Sequence, residues 1–227
     1  MRYSVVIPAY NEEAFIAATV NSVKSQTVGR ENIEIIVVDN NSKDKTSEAA
    51  KKAGADIVVV EKKQGTNMAR QKGIDVSKGD IVAFLDADSE PPKDWLHKIG
   101  GFLESGKYAA VSGPYKYGSW QDMAFVFFPY IGPFFQFIFR KKAGVMMGGN
   151  FALPKETINK IGKLPQVKFY GDDTYIAVTV ARKAGKVLFT RNLWVKSSPR
   201  RFKSQGTFGT ALKYFYHFLK VYFTAKV

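Results

Sequence analysis

Cysteine is missing from all 227 residues. A disulfide framework, a thiolate metal site and a cysteine nucleophile are therefore excluded. The absence is compatible with a reducing compartment. Histidine is nearly missing too. His97 and His217 stand alone, and surface or packing roles suit both better than catalysis. The segment "GTNMARQKG" lacks the phosphate-cradling pattern G-x-x-x-x-G-K-[ST]. The opening "MRYSVVIPAYNEE" has too short an apolar run for a signal peptide and soon reaches acidic residues. It reads as the first strand of a fold, and a cytoplasmic location is expected. The pattern shows no internal repeat and no flexible linker.

Long hydrophobic runs are also scarce. Met123 to Phe139 is 17 residues without a formal charge, which approaches a transmembrane length. Pro129, Gly132 and Pro133 interrupt it, and a crossing there would split one sheet domain across the bilayer. Interfacial helices or a broken hairpin lying on the membrane are expected over about 121–142. A hydrophobic core layer is the alternative. Acidic residues run short after residue 139: Glu156, Asp172 and Asp173 face 18 Lys/Arg, a net of +15. Residues 1–139 carry 16 Lys/Arg and 17 Asp/Glu, a net of −1. The overall +14 therefore lies in the last part of the chain. An anionic partner there is one reading, whether phosphate, nucleic acid or an acidic membrane; a solvated basic face is the other.

What is present is a chain 45% apolar and long enough for one α/β domain. "YSVVIP", "IEIIVVD", "DIVVVE" and "DIVAFLD" are short apolar runs that read as buried strands. Between them, "EEAFIAATVNSVKSQ" places Phe15, Ile16, Thr19, Val20 and Val23 at helical spacing. "NSKDKTSEAAKKAGA" begins with capping residues and ends at Gly54, and "GTNMARQKGIDVSKG" closes at Gly79. Alternating strands and helices predict βαβ units and a mostly parallel sheet. Ligands of such sheets lie at the carboxyl ends of the strands, where Tyr10, Asp39 and Asp86 fall.

The fourth strand ends in "FLDADSEPP". In extended chain, residues i and i+2 point the same way, so Asp86 and Asp88 converge on the rim. Unneutralised, they would repel. Mn²⁺ or Mg²⁺, held by one or two carboxylates together with phosphate oxygens and water, resolves this. The spacing thus suggests a metal–diphosphate site. "GDDTYIAVTVARKAG" opens a later helix, whose first turn favours acids such as Asp172 and Asp173.

"VVIPAYNEE", "EIIVVDNNSKDKT", "GTNMARQKGI", "FLDAD", "GGNFALPKE" and "YGDDTYIAVTVARKAGKV" follow in that order. In this order and spacing the chain resembles the inverting family 2 glycosyltransferases of the GT-A fold, over about residues 3–190. The resemblance implies that Pro8, Ala9, Tyr10 and Glu12 form the first nucleotide loop and that Asp39 accepts a hydrogen bond from the base. It implies Arg70 near the phosphates, Asp86 with Ala87 at the donor, and Asp88 with Asp86 at the metal. Gly148, Gly149 and Asn150 match the loop beside donor sugar and acceptor. Asp173 matches the general base, and Asp172 replaces the glutamate usual before it. The implied donor is a nucleoside diphosphate sugar, UDP-sugar favoured over GDP-mannose, with Mn²⁺ or Mg²⁺ as cofactor.

The expected layout is a catalytic domain over 1–195, with a donor half at about 1–90 and an acceptor half at about 91–195. A basic, aromatic segment over 196–227 follows, including an amphipathic helix in "GTFGTALKYFYHFLKVYFTAKV". Leu212, Phe215, Phe218, Leu219 and Tyr222 form its broad apolar face. With Arg200, Arg201 and Lys203 ahead of it, this segment suits the headgroup boundary of an anionic leaflet. Peripheral attachment at the inner membrane face is expected, without a nucleic-acid partner. Arg200 and Arg201 suit the phosphate of a lipid-linked acceptor such as polyprenyl phosphate. "SSPRRF" stands where processive synthases carry Q-x-x-R-W, so single-sugar transfer is expected. A sugar-phosphate nucleotidyltransferase would carry a Gly-rich loop after the first strand, where "PAYNEE" stands instead. A basic membrane or nucleic-acid binding module would leave the rim carboxylates unexplained.

Overall fold

The computed structural model describes residues 1–117, 146–164 and 171–200, with Tyr216 and Lys220. Its first four strands are the apolar runs of the sequence: β1 (Tyr3–Ala9), β2 (Ile33–Asp39), β3 (Ile57–Val60) and β4 (Ile81–Leu85). Helices α1 (Ile16–Lys24), α2 (Thr46–Ala53) and α3 (Thr66–Val76) lie between them. Period-two alternation divides the core. Tyr3, Val5, Ile7, Ile81, Ala83 and Leu85 join Ile16, Val20 and Val23 of α1 on one face. Val6, Ile36, Val82 and Phe84 join Ala69 and Ile74 of α3 on the other. Both faces are covered, which is why these strands are continuous apolar runs rather than apolar–polar alternations.

The chain continues through β5 (Ser89–Glu90), α4 (Trp95–Glu104), β6 (Ala110–Ser112), β7 (Tyr115–Lys116) and β8 (Asn150–Pro154). Then come α5 (Lys155–Ile161), α6 (Asp172–Lys183), β9 (Val187–Phe189) and β10 (Val195–Ser197). The main sheet runs β3-β2-β1-β4-β8-β6-β9. Its pairs are parallel except at β8, which is antiparallel to both β4 and β6. That reversal matters for the site. Leu85, the last residue of β4, pairs with Asn150, the first of β8. The start of β8 therefore shares a rim with the ends of β1, β2 and β4. A second sheet, β5-β10-β7, lies just beyond that rim. Its β10 crosses the expected boundary between residues 195 and 196.

One helix expectation fails in detail. Phe15 does not join the apolar face of α1. The helix begins at Ile16, its buried face is Ile16, Thr19, Val20 and Val23, and Phe15 stands just before it, 39% exposed. Among the described residues, no helix is long and apolar enough to cross a membrane. The insert at 121–142 and residues 201–227, apart from Tyr216 and Lys220, lie outside the described residues.

Candidate active site

Two loops at the rim are tied to one another. Asn11 and Asn41 turn the chain at φ 55° and 66°, a region asparagine tolerates better than most residues. The Asn11 amide donates to Ser42 Oγ at 2.9 Å, and the Lys43 amide to Asn11 Oδ1 at 2.8 Å. The Glu12 amide donates to Thr46 Oγ1 at 2.8 Å and the Lys45 amide to Glu13 Oε2 at 2.7 Å. Pro8, Ala9, Tyr10 and Glu12 are thereby set beside Asp39, with Ala9 buried and Tyr10 exposed. Asp39 Oδ1 accepts from the Ser42 amide at 2.8 Å, and Oδ2 from Ser47 Oγ at 2.5 Å. Asp39 thus orders the turn into α2, and each oxygen retains a lone pair. Asn40, which sequence reasoning missed, clamps the next loop. Its Nδ2 donates to the carbonyls of Glu61 (3.0 Å) and Lys63 (2.9 Å), and its Oδ1 accepts from the Gly65 amide at 2.8 Å.

Asp86 and Asp88 follow β4, as the sequence places them. Tyr115, also missed, donates its hydroxyl to Asp86 Oδ2 at 2.7 Å and accepts from the Gly149 amide at 2.7 Å. Burial, then the Asp86 charge, pushes the Tyr115 phenol well above its ordinary value, so it stays a donor. A Cβ on residue 149 would lie 1.9–2.2 Å from the three carboxyl atoms of Asp86. Only glycine lets that loop press on Asp86. Ala87 is buried, and its carbonyl accepts from Thr19 Oγ1 at 2.7 Å, anchoring the Asp-x-Asp turn to α1.

Burial, then Asp86, pushes the Asp88 carboxyl up to about 6, against the pull of Arg200. Burial also raises Glu12, again opposed by Arg200. Arg200 was expected at a lipid phosphate. Here its Nε lies 3.1 Å from Asp88 Oδ2, and its Nη2 pairs with Glu12 Oε1. Glu12 Oε2 is buried and has no hydrogen-bond partner. An orphaned oxygen beside two mutually repelling carboxylates fits a cation, and an all-oxygen donor set fits Mn²⁺ or Mg²⁺. Among the described residues no group of three or more His, Asp or Glu side chains makes a metal cage. A cation at Asp88 would rely on diphosphate oxygens and water for its other ligands.

At the start of α6, Asp172 and Asp173 have separate surroundings. Asp172 Oδ2 accepts from Arg70 Nη1 at 2.5 Å. Arg70 is 2% exposed. It also donates to Asn67 Oδ1 at 3.0 Å and to the Gly148 carbonyl, and it lies 5.6 Å over the Phe151 ring. Sequence reading set Arg70 near the phosphates; the structure places it under the glycine loop, bonded to Asp172. Asp173 is packed deep but keeps some solvent contact, and it accepts from the Thr174 amide at 2.7 Å. Burial, then Asp172, pushes it up to about 7, with Arg70 opposing. A carboxyl poised near neutrality suits a general base. A Cβ at Gly148 would lie 3.6 Å from Asp173, so the glycine pair lies close to both Asp86 and Asp173.

Asn150 faces elsewhere. It is 1% exposed, its Oδ1 accepts from Trp95 Nε1 at 3.0 Å, and its Nδ2 donates to the carbonyls of Leu193 (2.5 Å) and Pro114 (3.3 Å). This amide cross-links the packing beneath the loop.

The profile of glycosyl transferase family 2 matches residues 4–162. The chain belongs to glycosyl transferase family 2. Among curated relatives, this family 2 chain is 41% identical over 100 residues to glycosyltransferase AglE of Haloferax volcanii, covering 42% of this chain and 33% of that protein. It is 28% identical over 159 residues to a dolichol-phosphate mannosyltransferase of Pyrococcus furiosus, covering 68% and 42%. The chain therefore spans less than half the length of either relative. Among solved structures, a mannosyltransferase of Pyrobaculum calidifontis in complex with GDP-Man and Mn²⁺ superposes with a TM-score of 0.78 at 22% identity, covering all of this chain and 65% of that one. That likeness shows the GT-A fold.

Proposed function

We propose that this family 2 glycosyltransferase moves one sugar, with inversion, from a nucleoside diphosphate sugar to an acceptor at a membrane surface. The observation that carries the reading is the Gly148–Gly149 loop, which lies close to both Asp86 and Asp173. A diphosphate sugar held at Asp86 and Asp88 would present its anomeric carbon toward Asp173 across that loop. Inverting transfer requires a base on the face opposite the leaving group. Asp173 fills that role and takes the proton of the attacking group. Arg70 keeps Asp172 ion-paired, which leaves Asp173 to carry the proton. A divalent cation at Asp88 would supply charge compensation for the departing diphosphate.

The base also bears on the acceptor. A phosphate has a second pKa near 6, so polyprenyl phosphate presents a largely ionised oxygen and needs little help. A hydroxyl does need a base. Asp173 near 7 therefore favours a hydroxyl acceptor, such as a lipid-linked sugar or a lipid headgroup. The name of the Pyrococcus relative supports the phosphate as a second reading. The basic residues after 139 and the uncharged stretch Met123–Phe139 support peripheral attachment at the inner membrane face, with the chain up to Arg200 carrying the transfer and the residues after it the attachment.

For the nucleotide, Asp39 accepts one hydrogen bond on each oxygen and keeps a lone pair on each. Its match to the carboxylate that takes the base N–H in the resembling family favours the single N3–H of uracil. Calorimetric titration with UDP and GDP in Mn²⁺ tests this. UDP is expected to bind at least roughly tenfold tighter, about 1.4 kcal/mol. Tighter GDP binding would assign the donor to the GDP-sugars and leave the transfer reading intact.

A further inference from the structure

Arg200 lies 188 residues from Glu12 in sequence, yet its guanidinium spans Glu12 and Asp88. The fold brings it there by a defined route. β10 pairs antiparallel with β5, Ser197 opposite Ser89, one residue past Asp88. Three residues later the Arg200 amide contacts Ser198 Oγ at 3.4 Å, and its guanidinium lies 4.9 Å over the Phe15 ring. Phe15, unexpectedly exposed, is the shelf under this cation. The planar fork of arginine serves two carboxylates at once. The Glu12 and Asp88 side chains are 12% and 14% exposed and Arg200 is 43% exposed, so the acids are partly desolvated and the cation can leave toward water.

We propose that Arg200 is the internal counter-ion of the donor site and competes with the divalent cation for Asp88 and Glu12. This rests on the reading of Asp88 as cation ligand. A metal ion on Asp88 would take the lone pairs that the guanidinium now uses. Two positive centres on one carboxylate would repel at short range. Cation entry therefore moves the Arg200 guanidinium off Asp88.

The competition has a sign that a supporting role would not produce. If Arg200 only held the acids in place, removing it would weaken cation binding. If it competes, removing it tightens binding. The measurement is Mn²⁺ affinity of the donor-free protein, from the electron paramagnetic resonance signal of free Mn²⁺, at fixed pH and ionic strength. Wild type, Arg200→Gln, Asp88→Asn and the double variant are compared, with circular dichroism checking the fold of each. Arg200→Gln is expected to bind Mn²⁺ roughly three- to tenfold tighter, from the worth of an exposed ion pair up to that of a weak charged hydrogen bond. Asp88→Asn is expected to abolish the gain. Asp88-dependent binding that stays equal or weakens in Arg200→Gln overturns the counter-ion role alone. If Mn²⁺ binding ignores Asp88 in both backgrounds, the cation assignment falls and this inference falls with it.

Discussion

Asp173→Asn is expected to lower turnover about 10²–10⁴-fold with a hydroxyl acceptor, the usual contribution of a positioned base. Donor affinity should barely change, because the substitution keeps the shape and removes only proton acceptance. The pH dependence follows from the same carboxyl, pushed up to about 7 by burial and Asp172. The base form dominates above that value, so wild-type activity should rise with pH through about 7. Asp172→Asn removes the charge that raises Asp173 and should shift this limb to lower pH. Stability runs the other way. A carboxyl whose folded pKa is raised binds its proton more tightly in the folded state. Stability is therefore lost as pH rises from the ordinary value of 3.8 through about 7. At pH 8 Asp173→Asn should melt about 3 °C or more above wild type. Paired rate and melting measurements check both effects. Loss of turnover in Asp172→Asn but not in Asp173→Asn would move the base by one position.

Asp88→Ala should cost about 10³-fold or more in transfer, since compensating a leaving diphosphate is worth several kcal/mol. Its carboxyl is held up to about 6 by burial and Asp86. Removing it relieves repulsion, so the fold should persist with an unchanged circular dichroism spectrum. Chelator-treated wild type should behave like the variant, and added Mn²⁺ should rescue only wild type. Full activity of Asp88→Ala, or of wild type in excess chelator, would refute the cation site.

Much of this was readable along the chain because local patterns carried it. β1, β2 and β4 follow from apolar runs buried on both faces, and α2 ends at Gly54 in the left-handed region. Asp86 and Asp88 stand at a strand end because such runs must stop at the rim. What escaped depends on contacts between distant segments. Tyr115 sits in the unremarkable "GPYKYG", and its role appears only where β7 comes beside the glycine loop. Arg70 occupies an ordinary helical position, and only its ion pair with Asp172 at the start of α6 shows where it points. Arg200 looked like part of a membrane-facing basic run until the pairing of β10 with β5 set it on Asp88. Asn150 followed the glycines in the motif, but the side-chain alternation of β8 directs it inward to Trp95. Phe15 shows the limit of periodicity alone: helical spacing did not reveal that the helix starts one residue later.

The most direct measurement follows a single reaction by ³¹P and ¹H NMR. It contains the nucleotide sugar of the better-bound nucleotide, in its α configuration, with the protein, Mn²⁺ and a membrane lipid extract. The account predicts that nucleoside diphosphate accumulates and that a β-anomeric proton appears in the lipid fraction, both lost in Asp173→Asn. Release of pyrophosphate would show nucleotidyl transfer instead, and an α-anomeric product would show that the acceptor does not attack from the face opposite the diphosphate.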